Sequence, residues 1–412
     1  MAIIRPFRAF RPQPALVDKV AALPYDVMNS QEARVMAEGN PYSFLHVDKA
    51  EIDLPLGTDL YDDAVYQTAA ANLNRMIDEG IYLQEDKPCL YVYRQIMNGR
   101  AQTGIVACSS VDDYLNNVVK KHELTRPDKE DDRCRHVDIC DAQTGPIFLT
   151  YRRREAIDKV VDRVTAEAPL YDFESGGVRQ TVWVIRDEAD IALLQQEFAA
   201  AGSTYIADGH HRTASAVRVG IKRREQNPGH TGTEEYNFFL SVLFPDAQLY
   251  IMDYNRVVKD LNGLSVAAFM GKVGEKFIIT AWNGDGPCHP PQKHSFGMYL
   301  GGKWYLLAAR DGTYGGDPVS RLDVSILQTN LLAPVLGIAD PRTDKRIDFI
   351  GGIRGLAELE RRVQEGAAVA FAMYPTTIDD LMAIADAGLI MPPKSTWFEP
   401  KLLSGIFVHR LS

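Results

Sequence analysis

The sequence predicts an α+β protein of mixed α/β character, in which helices flank mixed sheets. Apolar runs typical of strands alternate with helical periodicity along most of the 412 residues. The dipeptide Asn98-Gly99 joins two such runs, which is a strong hairpin signal. At 203–216 the chain changes from a strand-like to a helix-like pattern across Asp208-Gly209. Length and composition, with 46% hydrophobic and 24% charged residues, suit a globular protein with a large core.

Local signals place the elements of the first half of the chain. Asn29 with Glu32 three residues later forms a capping-box pattern before a helix, and Gly80 provides a helix stop. The predicted elements are helix 30–38, strand 43–47, helix 61–79, strands 89–96, 103–109 and 144–151, helix 154–167, strand 181–187 and helix 188–200. Segment 110–140 is polar and heavily charged, and residues 120–133 within it are predicted to be a loop that carries part of a site.

The second half begins with a strand–turn–helix and then changes character after Asp260. The predicted elements are the strand–turn–helix 203–218, two buried strands within 237–258, helix 264–277, strands 278–281, 296–300 and 303–309, and helix 322–336, with further elements to residue 410. Two domains are expected from the length. We predict a phosphate- or nucleotide-binding and catalytic region over 1–255, and an α+β region over 256–412 that packs back on the first.

Charge and cysteine usage exclude several classes of protein. A net charge of −10 argues against a general nucleic-acid binder, although a local basic pocket can still hold a small anion. Five scattered cysteines without a CxxC pair indicate a reduced protein. The N-terminal stretch lacks the pattern of a signal peptide, and no run of about 18 apolar residues occurs. The expectation is a cytoplasmic protein without a membrane partner.

The most informative stretch is STYIADGHHRTASA, residues 203–216. Asp208, His210 and His211 offer a carboxylate and two imidazoles for proton transfer, while Gly209 and Arg212 would hold phosphate at a helix start. In the alternative interpretation, Asp208 is a helix N-cap and the other residues form a solvated face. A zinc site is disfavoured here, because adjacent histidines rarely converge on one ion. No metal ligand is predicted.

The sequence DGHHR at 208–212 resembles the signature of free-serine kinases in the ParB/sulfiredoxin-like superfamily. That resemblance implies a strand-to-helix turn, from Gly209 to Arg212, that holds nucleotide phosphates. The whole chain also resembles a bacterial family catalogued as a domain of unknown function. The landmarks are PFRAF (6–10), LPYDV (23–27), NPYSFLHV (40–47), KKHELTRPDKEDDR (120–133), ADGHHR (207–212) and MPPKSTWFEPKLLSG (391–405).

The segment 120–133 interleaves acidic and basic residues around Pro127. Glu123 is the candidate general base of this segment. Four further residues are candidate ligands or charge partners for phosphate: His122, Arg126, Lys129 and Arg133. A solvated charged face is the alternative interpretation of the same pattern.

Two further motifs contribute candidate residues. Tyr25 and Asp26 follow Pro24, where Asp26 would orient a substrate amine or a metal ion; a simple turn is equally consistent. Lys394 precedes Ser395 and is a candidate phosphate contact, although no glycine-rich loop precedes it.

These features together favour a nucleotide-dependent, kinase-like phosphotransferase acting on a small hydroxyl substrate such as free L-serine. The phosphate donor would be ATP, ADP or another phosphate compound, with Mg²⁺ as the usual metal. Two alternatives stay open. One is a nucleotide-binding regulatory protein with little or no turnover, and the other is a phosphoester hydrolase in which water replaces the acceptor hydroxyl.

Overall fold

The computed structural model describes all 412 residues, which form two compact units. The first unit contains residues 1–249 and 400–412, and the second contains residues 250–399. The division thus falls six residues before the predicted boundary after residue 255, and residues 400–412 lie in the first unit instead of the C-terminal region. None of the helices combines the length and hydrophobicity needed to cross a bilayer.

Helices and strands alternate through the chain, as expected for mixed α/β architecture. The strands are β1 (Ile4–Arg5), β2 (Phe10–Pro12), β3 (Tyr82–Gln84), β4 (Leu90–Met97), β5 (Arg100–Ser110), β6 (Val119–Lys120), β7 (Ala142–Gln143), β8 (Ile147–Tyr151), β9 (Tyr171–Ser175), β10 (Val178–Ile185), β11 (Thr204–Asp208), β12 (Phe238–Pro245), β13 (Tyr254–Val258), β14 (Phe277–Ala281), β15 (Ser295–Leu300), β16 (Lys303–Ala309), β17 (Ile347–Gly351), β18 (Val369–Met373) and β19 (His409–Arg410). The helices are α1 (Val17–Val20), α2 (Ser30–Ala37), α3 (Leu45–Asp48), α4 (Asp63–Asp78), α5 (Val111–Leu115), α6 (Pro127–Cys140), α7 (Glu155–Thr165), α8 (Glu188–Ala201), α9 (His210–Gln226), α10 (Val266–Lys276), α11 (Asp323–Leu327), α12 (Ala357–Gln364) and α13 (Ile378–Asp386).

A nine-stranded mixed sheet forms the centre of the first unit. Its order is β6-β11-β8-β12-β5-β4-β10-β9, with β1 also paired to β5. The pairs β6–β11 and β8–β12 are parallel, and the other pairs are antiparallel. Buried aliphatic and aromatic residues of the sheet pack against α7, α8 and α9 in one continuous core. Because β6 and β11 are parallel, the segments that follow them leave the sheet at the same edge.

The second unit is built on a six-stranded antiparallel sheet in the order β14-β16-β15-β18-β13-β17. Its core joins residues of this sheet to α12, where Leu359 is fully buried. The predicted helix 322–336 is α11 followed by a short π-helical turn over Gln328–Leu332.

Sequence signals that act within a few residues are reproduced by the structure. Asn29 caps α2 in a reciprocal capping box with Glu32. Asn98 and Gly99 both have positive φ, 51° and 78°, as a type I′ hairpin turn requires. These predictions are confirmed because the stabilising contact lies within the motif itself.

Two element predictions are wrong. The predicted strand 43–47 is helical, since α3 covers Leu45–Asp48 and the Phe44 carbonyl accepts the N–H of Asp48. The apolar residues of this short run, Phe44, Leu45 and Val47, are all buried, and such a run has no periodicity that separates strand from helix. The predicted loop 120–133 contains the first half of α6, which starts with Pro127 at its first position.

Candidate functional site

The turn between β11 and α9 is set by a glycine in a left-handed conformation. Gly209 has φ +94° and precedes the first helical residue, His210. The Asp208 carboxylate accepts a hydrogen bond from the Gly209 N–H at 3.0 Å. Asp208 is therefore the last residue of β11, and Gly209 occupies the N-cap position, so the interpretation of Asp208 as a helix N-cap is wrong.

Arg212 folds back over this turn and lines a small cavity. Its Nη1 donates to the Pro146 carbonyl at 2.6 Å, and its Nη2 lies 3.8 Å from Asp208 Oδ2. Its buried Nε has no hydrogen-bond partner. Burial by itself lowers the pKa of Arg212, but the carboxylates of Asp26 and Asp208 outweigh burial and raise it. The guanidinium therefore stays charged and retains an unsatisfied donor, which suits an anionic ligand.

Gly209 is required both for its φ and for the path of Arg212. A Cβ at position 209 would lie 3.1–3.2 Å from three atoms of the Arg212 guanidinium group. We expect Gly209→Ala to cost about 1–2 kcal/mol of backbone strain and to displace Arg212 as well. Gly232 is a matched control, because its φ is +90° and no atom lies within 4 Å of its Cβ position.

The measurement compares unfolding by urea for Gly209→Ala and Gly232→Ala. Gly209→Ala should lower the free energy of unfolding by about 1 kcal/mol more than Gly232→Ala, since only Gly209→Ala adds a steric contact to the strain. Equal losses of stability in the two variants would show that Arg212 moves aside without cost.

Asp208 is held in an ion pair by a residue that the sequence analysis did not select. Lys401 Nζ lies 3.2 Å from Asp208 Oδ2. Burial of the Asp208 carboxyl opposes its ionisation, but the charges of Lys401 and Arg212 prevail and hold its pKa well below the usual range. Asp208 therefore remains an anion between two cations at every pH of physiological interest.

The cavity beside Arg212 has a volume of about 30 Å³. Its lining includes a second arginine and several polar groups: Tyr25, Asp48, Arg133, His136, Gln143, Thr144, Arg212 and Ser404. The Arg133 guanidinium lies 4.1 Å from the centre of the Tyr25 ring and pairs with Asp132 at 2.9 Å. Burial raises the pKa of the Tyr25 phenol, so it remains a neutral hydrogen-bond donor. The guanidinium groups of Arg133 and Arg212 thus line the same cavity.

The segment that follows β6 meets the segment that follows β11. His122 and His210 lie with their ring centres 4.5 Å apart, and His210 Nδ1 is 3.9 Å from Glu123 Oε2. The parallel pairing of β6 with β11 produces this meeting, because both chains leave the same sheet edge.

His211 points to a different partner: its Nε2 accepts the backbone N–H of Arg126 at 3.0 Å. Burial lowers the pKa of His211, which favours this neutral acceptor.

The structure divides the predicted site residues into groups. Tyr25, Arg133 and Arg212 line the cavity. Asp208 and Gly209 form the adjoining turn, and the exposed Asp26 acts electrostatically on Arg212 and His211. His122, Glu123 and His210 form a separate cluster.

The other predicted phosphate contacts have partners elsewhere. The Arg126 guanidinium pairs with Asp128 at 2.7 Å and is 70% exposed. Lys129 donates to the Tyr61 hydroxyl at 3.0 Å. Lys394 belongs to the second unit, where its ammonium lies 5.7 Å from the centre of the Tyr254 ring.

Sequence reasoning missed Lys401, Asp48 and His136. Lys401 lies in the landmark segment 391–405, in which Lys394 was selected instead because two hydroxyl residues follow it. Asp48 and His136 lie on α3 and α6, which overlap the predicted strand 43–47 and the predicted loop 120–133. His136 follows the charged residues of segment 120–133 and carries no local signal of its burial, and Asp48 stands at the end of a short apolar run.

Comparison with solved structures finds similar chains at low identity. SbnI with a C-terminal truncation, from Staphylococcus aureus, is 12% identical with a TM-score of 0.39, over 72% of this chain and 85% of its own. A free serine kinase mutant in complex with AMP is 13% identical with a TM-score of 0.36, over 72% and 86%. A conserved hypothetical protein from Pyrococcus furiosus is 13% identical with a TM-score of 0.35, over 73% and 94%. No curated protein matches the chain in sequence.

A family model described as a protein of unknown function (DUF1015) matches residues 4–325. The matched range includes the strand–turn–helix of β11 and α9 as well as the segment 120–133. Since the model covers well over half of the sequence, this chain belongs to the DUF1015 family.

Proposed function

We propose that this protein holds a nucleotide by its phosphate groups and transfers a phosphoryl group to the hydroxyl of a small molecule such as free L-serine. The observation that carries the proposal is the pair of guanidinium groups, Arg133 and Arg212, on one cavity. Arg212 also keeps a buried N–H without a hydrogen-bond partner. Planar guanidinium groups match phosphate oxygens in charge and geometry, and a buried charged donor gains most from such a ligand.

The reaction needs positioning and charge neutralisation more than covalent help from the protein. The acceptor hydroxyl oxygen forms a bond to the transferred phosphorus, and the bond from that phosphorus to the donor's bridging oxygen breaks. The hydroxyl proton passes to a carboxylate. Arg133 and Arg212 would neutralise the phosphate oxygens, and the Gly209 turn would place α9 with its N-terminus toward them.

The carboxylates around the turn suit different roles. Asp208 is ion-paired with Lys401 and has a strongly lowered pKa, which favours a role in holding Lys401 and Arg212 over a role as proton acceptor. Glu123, whose side chain is 45% exposed, is the better candidate for the general base. Asp26 is exposed beside Arg212 and could orient a substrate amine or share Mg²⁺ with the phosphates of the nucleotide.

The test is a binding and turnover assay on the purified protein. ADP, ATP and pyrophosphate are each titrated by calorimetry, and each is then incubated with L-serine and Mg²⁺ while O-phosphoserine is followed by mass spectrometry. We expect one nucleotide to bind and O-phosphoserine to form, with Glu123→Gln retaining binding but losing turnover.

Other outcomes point elsewhere. Binding without product across small hydroxy amino acids favours a regulatory protein, and phosphate release from phosphoserine without a nucleotide favours a hydrolase. Absence of binding for every phosphate donor would refute the proposal.

A further inference from the structure

His122, Glu123 and His210, referred to below as the imidazole cluster, lie together at the edge of the nine-stranded sheet. One ligand atom from each of the three side chains lies within 4.8 Å of those of the other two. His122 and His210 are only 1% and 6% exposed, while Glu123 reaches solvent. The cluster therefore has two buried imidazole rings and one carboxylate that is accessible from solvent.

The imidazole cluster contains polar atoms that lack the usual hydrogen bonds. Both ring nitrogens of His122 and Nε2 of His210 are buried without a hydrogen-bond partner of normal geometry. The backbone of Ile206 makes only a weak hydrogen bond to the His122 ring, and it raises the pKa of His122 less than the charge of Asp208 does. Nearly all buried polar groups in folded proteins have a partner, and an ion bound here would take one nitrogen from each of the two rings.

The two histidines of the cluster are uncharged near neutral pH, which allows them to bind a cation. Burial lowers the pKa of His122 to about 4 and places the pKa of His210 well below its usual value. Both rings are neutral near pH 7, so each has a nitrogen lone pair available to a metal. Asp208 contributes negative charge to both rings, whereas Lys121 opposes it at His210.

We propose that His122, Glu123 and His210 bind a divalent transition-metal ion of the Zn²⁺ class. Two neutral imidazoles and one carboxylate are ligands that Zn²⁺ accepts, and three protein ligands leave one position open. Tetrahedral Zn²⁺ with bonds of about 2.0–2.1 Å needs ligand atoms roughly 3.3 Å apart. The three ligand atoms lie within 4.8 Å of one another, so any two of them must approach by about 1.5 Å at most. The Glu123 side chain is 45% exposed, so it has room to make most of this movement.

The sequence analysis selected all three residues but disfavoured a zinc site, because it considered the adjacent pair His210 and His211. In the structure the side chains of His210 and His211 have different partners, and His211 accepts a hydrogen bond from the backbone N–H of Arg126. The partner of His210 is His122, which the parallel pairing of β6 and β11 delivers from a distant part of the chain.

Metal binding is measured on the full chain after treatment with a chelator and removal of the chelator. ZnCl₂ is titrated by calorimetry, and CoCl₂ is followed by visible absorption, which reports the ligand geometry directly. We expect one ion per chain and a Co²⁺ spectrum of nitrogen and oxygen ligands. His122→Asn, His210→Asn and Glu123→Gln should each weaken binding at least tenfold.

His46→Asn is the matched control, since His46 also faces a carboxylate, Asp53, at 2.8 Å but stands outside the imidazole cluster. It should bind as the unmodified protein does. Glu123 is partly exposed, so Glu123→Gln keeps the test valid even if a buried histidine variant fails to fold. Binding of no ion, or binding unchanged in Glu123→Gln, would overturn the proposal. Both readouts are taken without turnover, so they test the metal site separately from the proposed kinase activity. The metal site and the general-base role of Glu123 are alternatives, because a carboxylate bound to an ion cannot accept the hydroxyl proton.

Discussion

Replacing Arg212 by glutamine is expected to weaken nucleotide binding by about 1.5–3 kcal/mol, which is roughly 10- to 150-fold in Kd. Arg212 lines the cavity, is charged, and has a buried Nε without a partner. Glutamine retains polarity and part of the length but removes the charge and the planar fork. Calorimetric titration of the nucleotide that binds the unmodified protein measures the change.

Arg218→Gln is the matched control for Arg212→Gln. Arg218 lies on the same helix, α9, is 48% exposed, and pairs with Glu130 and Asp131 on the protein surface. Its replacement should change affinity by less than twofold, because an exposed ion pair contributes little. If Arg218→Gln weakens binding as much as Arg212→Gln, general loss of positive charge would explain both results, and Arg212 would have no special role.

Ionisation of Asp323 is expected to cost the unmodified protein about 3 kcal/mol of stability between pH 5 and pH 8. Replacing Asp323 by asparagine is expected to abolish that loss. Burial raises the pKa of Asp323 to about 7, although the His294 N–H donates to its Oδ1 at 2.8 Å and Lys293 is nearby. Asp380 adds a repulsive charge. Since the folded-state pKa lies above that of the unfolded chain, the folded state binds more protons, and stability falls as pH rises toward 7.

Chemical denaturation at pH 5 and pH 8, followed by tryptophan fluorescence, measures this effect. Three of the four tryptophans, Trp282, Trp304 and Trp397, lie in the second unit with Asp323. The Asn variant should gain stability relative to the unmodified protein as pH rises. Asp340→Asn is the control, because Arg342 holds the pKa of Asp340 at about 2, below the range of the experiment. A pH dependence unchanged in Asp323→Asn would mean that this carboxyl is ionised in the folded protein at pH 5.

The sequence was most informative where a motif contains its own stabilising contacts. The Asn29 capping box, the Asn98-Gly99 hairpin and the Gly209 turn each depend on residues within four positions of one another. The mixed α/β class followed from the alternation of such elements. Asp208 and Arg212 were found for the same reason, as neighbours on one turn.

Features that depend on distant pairing could not be predicted in this way. The contact of Lys401 with Asp208 joins the two ends of a long stretch of sequence, and neither residue carries a local signal for the other. Likewise, His122 meets His210 only because β6 and β11 are parallel, and a single sequence does not reveal strand pairing. The helix α6 was missed because its charged surface obscured the few buried residues, among them His136.

The return of residues 400–412 to the first unit has a consequence for biosynthesis. Lys401 and Ser404 reach the site only after the ribosome has translated all of residues 250–399. A nascent chain that stops before Lys401 would carry the Asp208 turn without the ammonium group that neutralises it. Translation order thus delays completion of the cavity and of the Asp208–Lys401 ion pair until residues 250–399 have been synthesised.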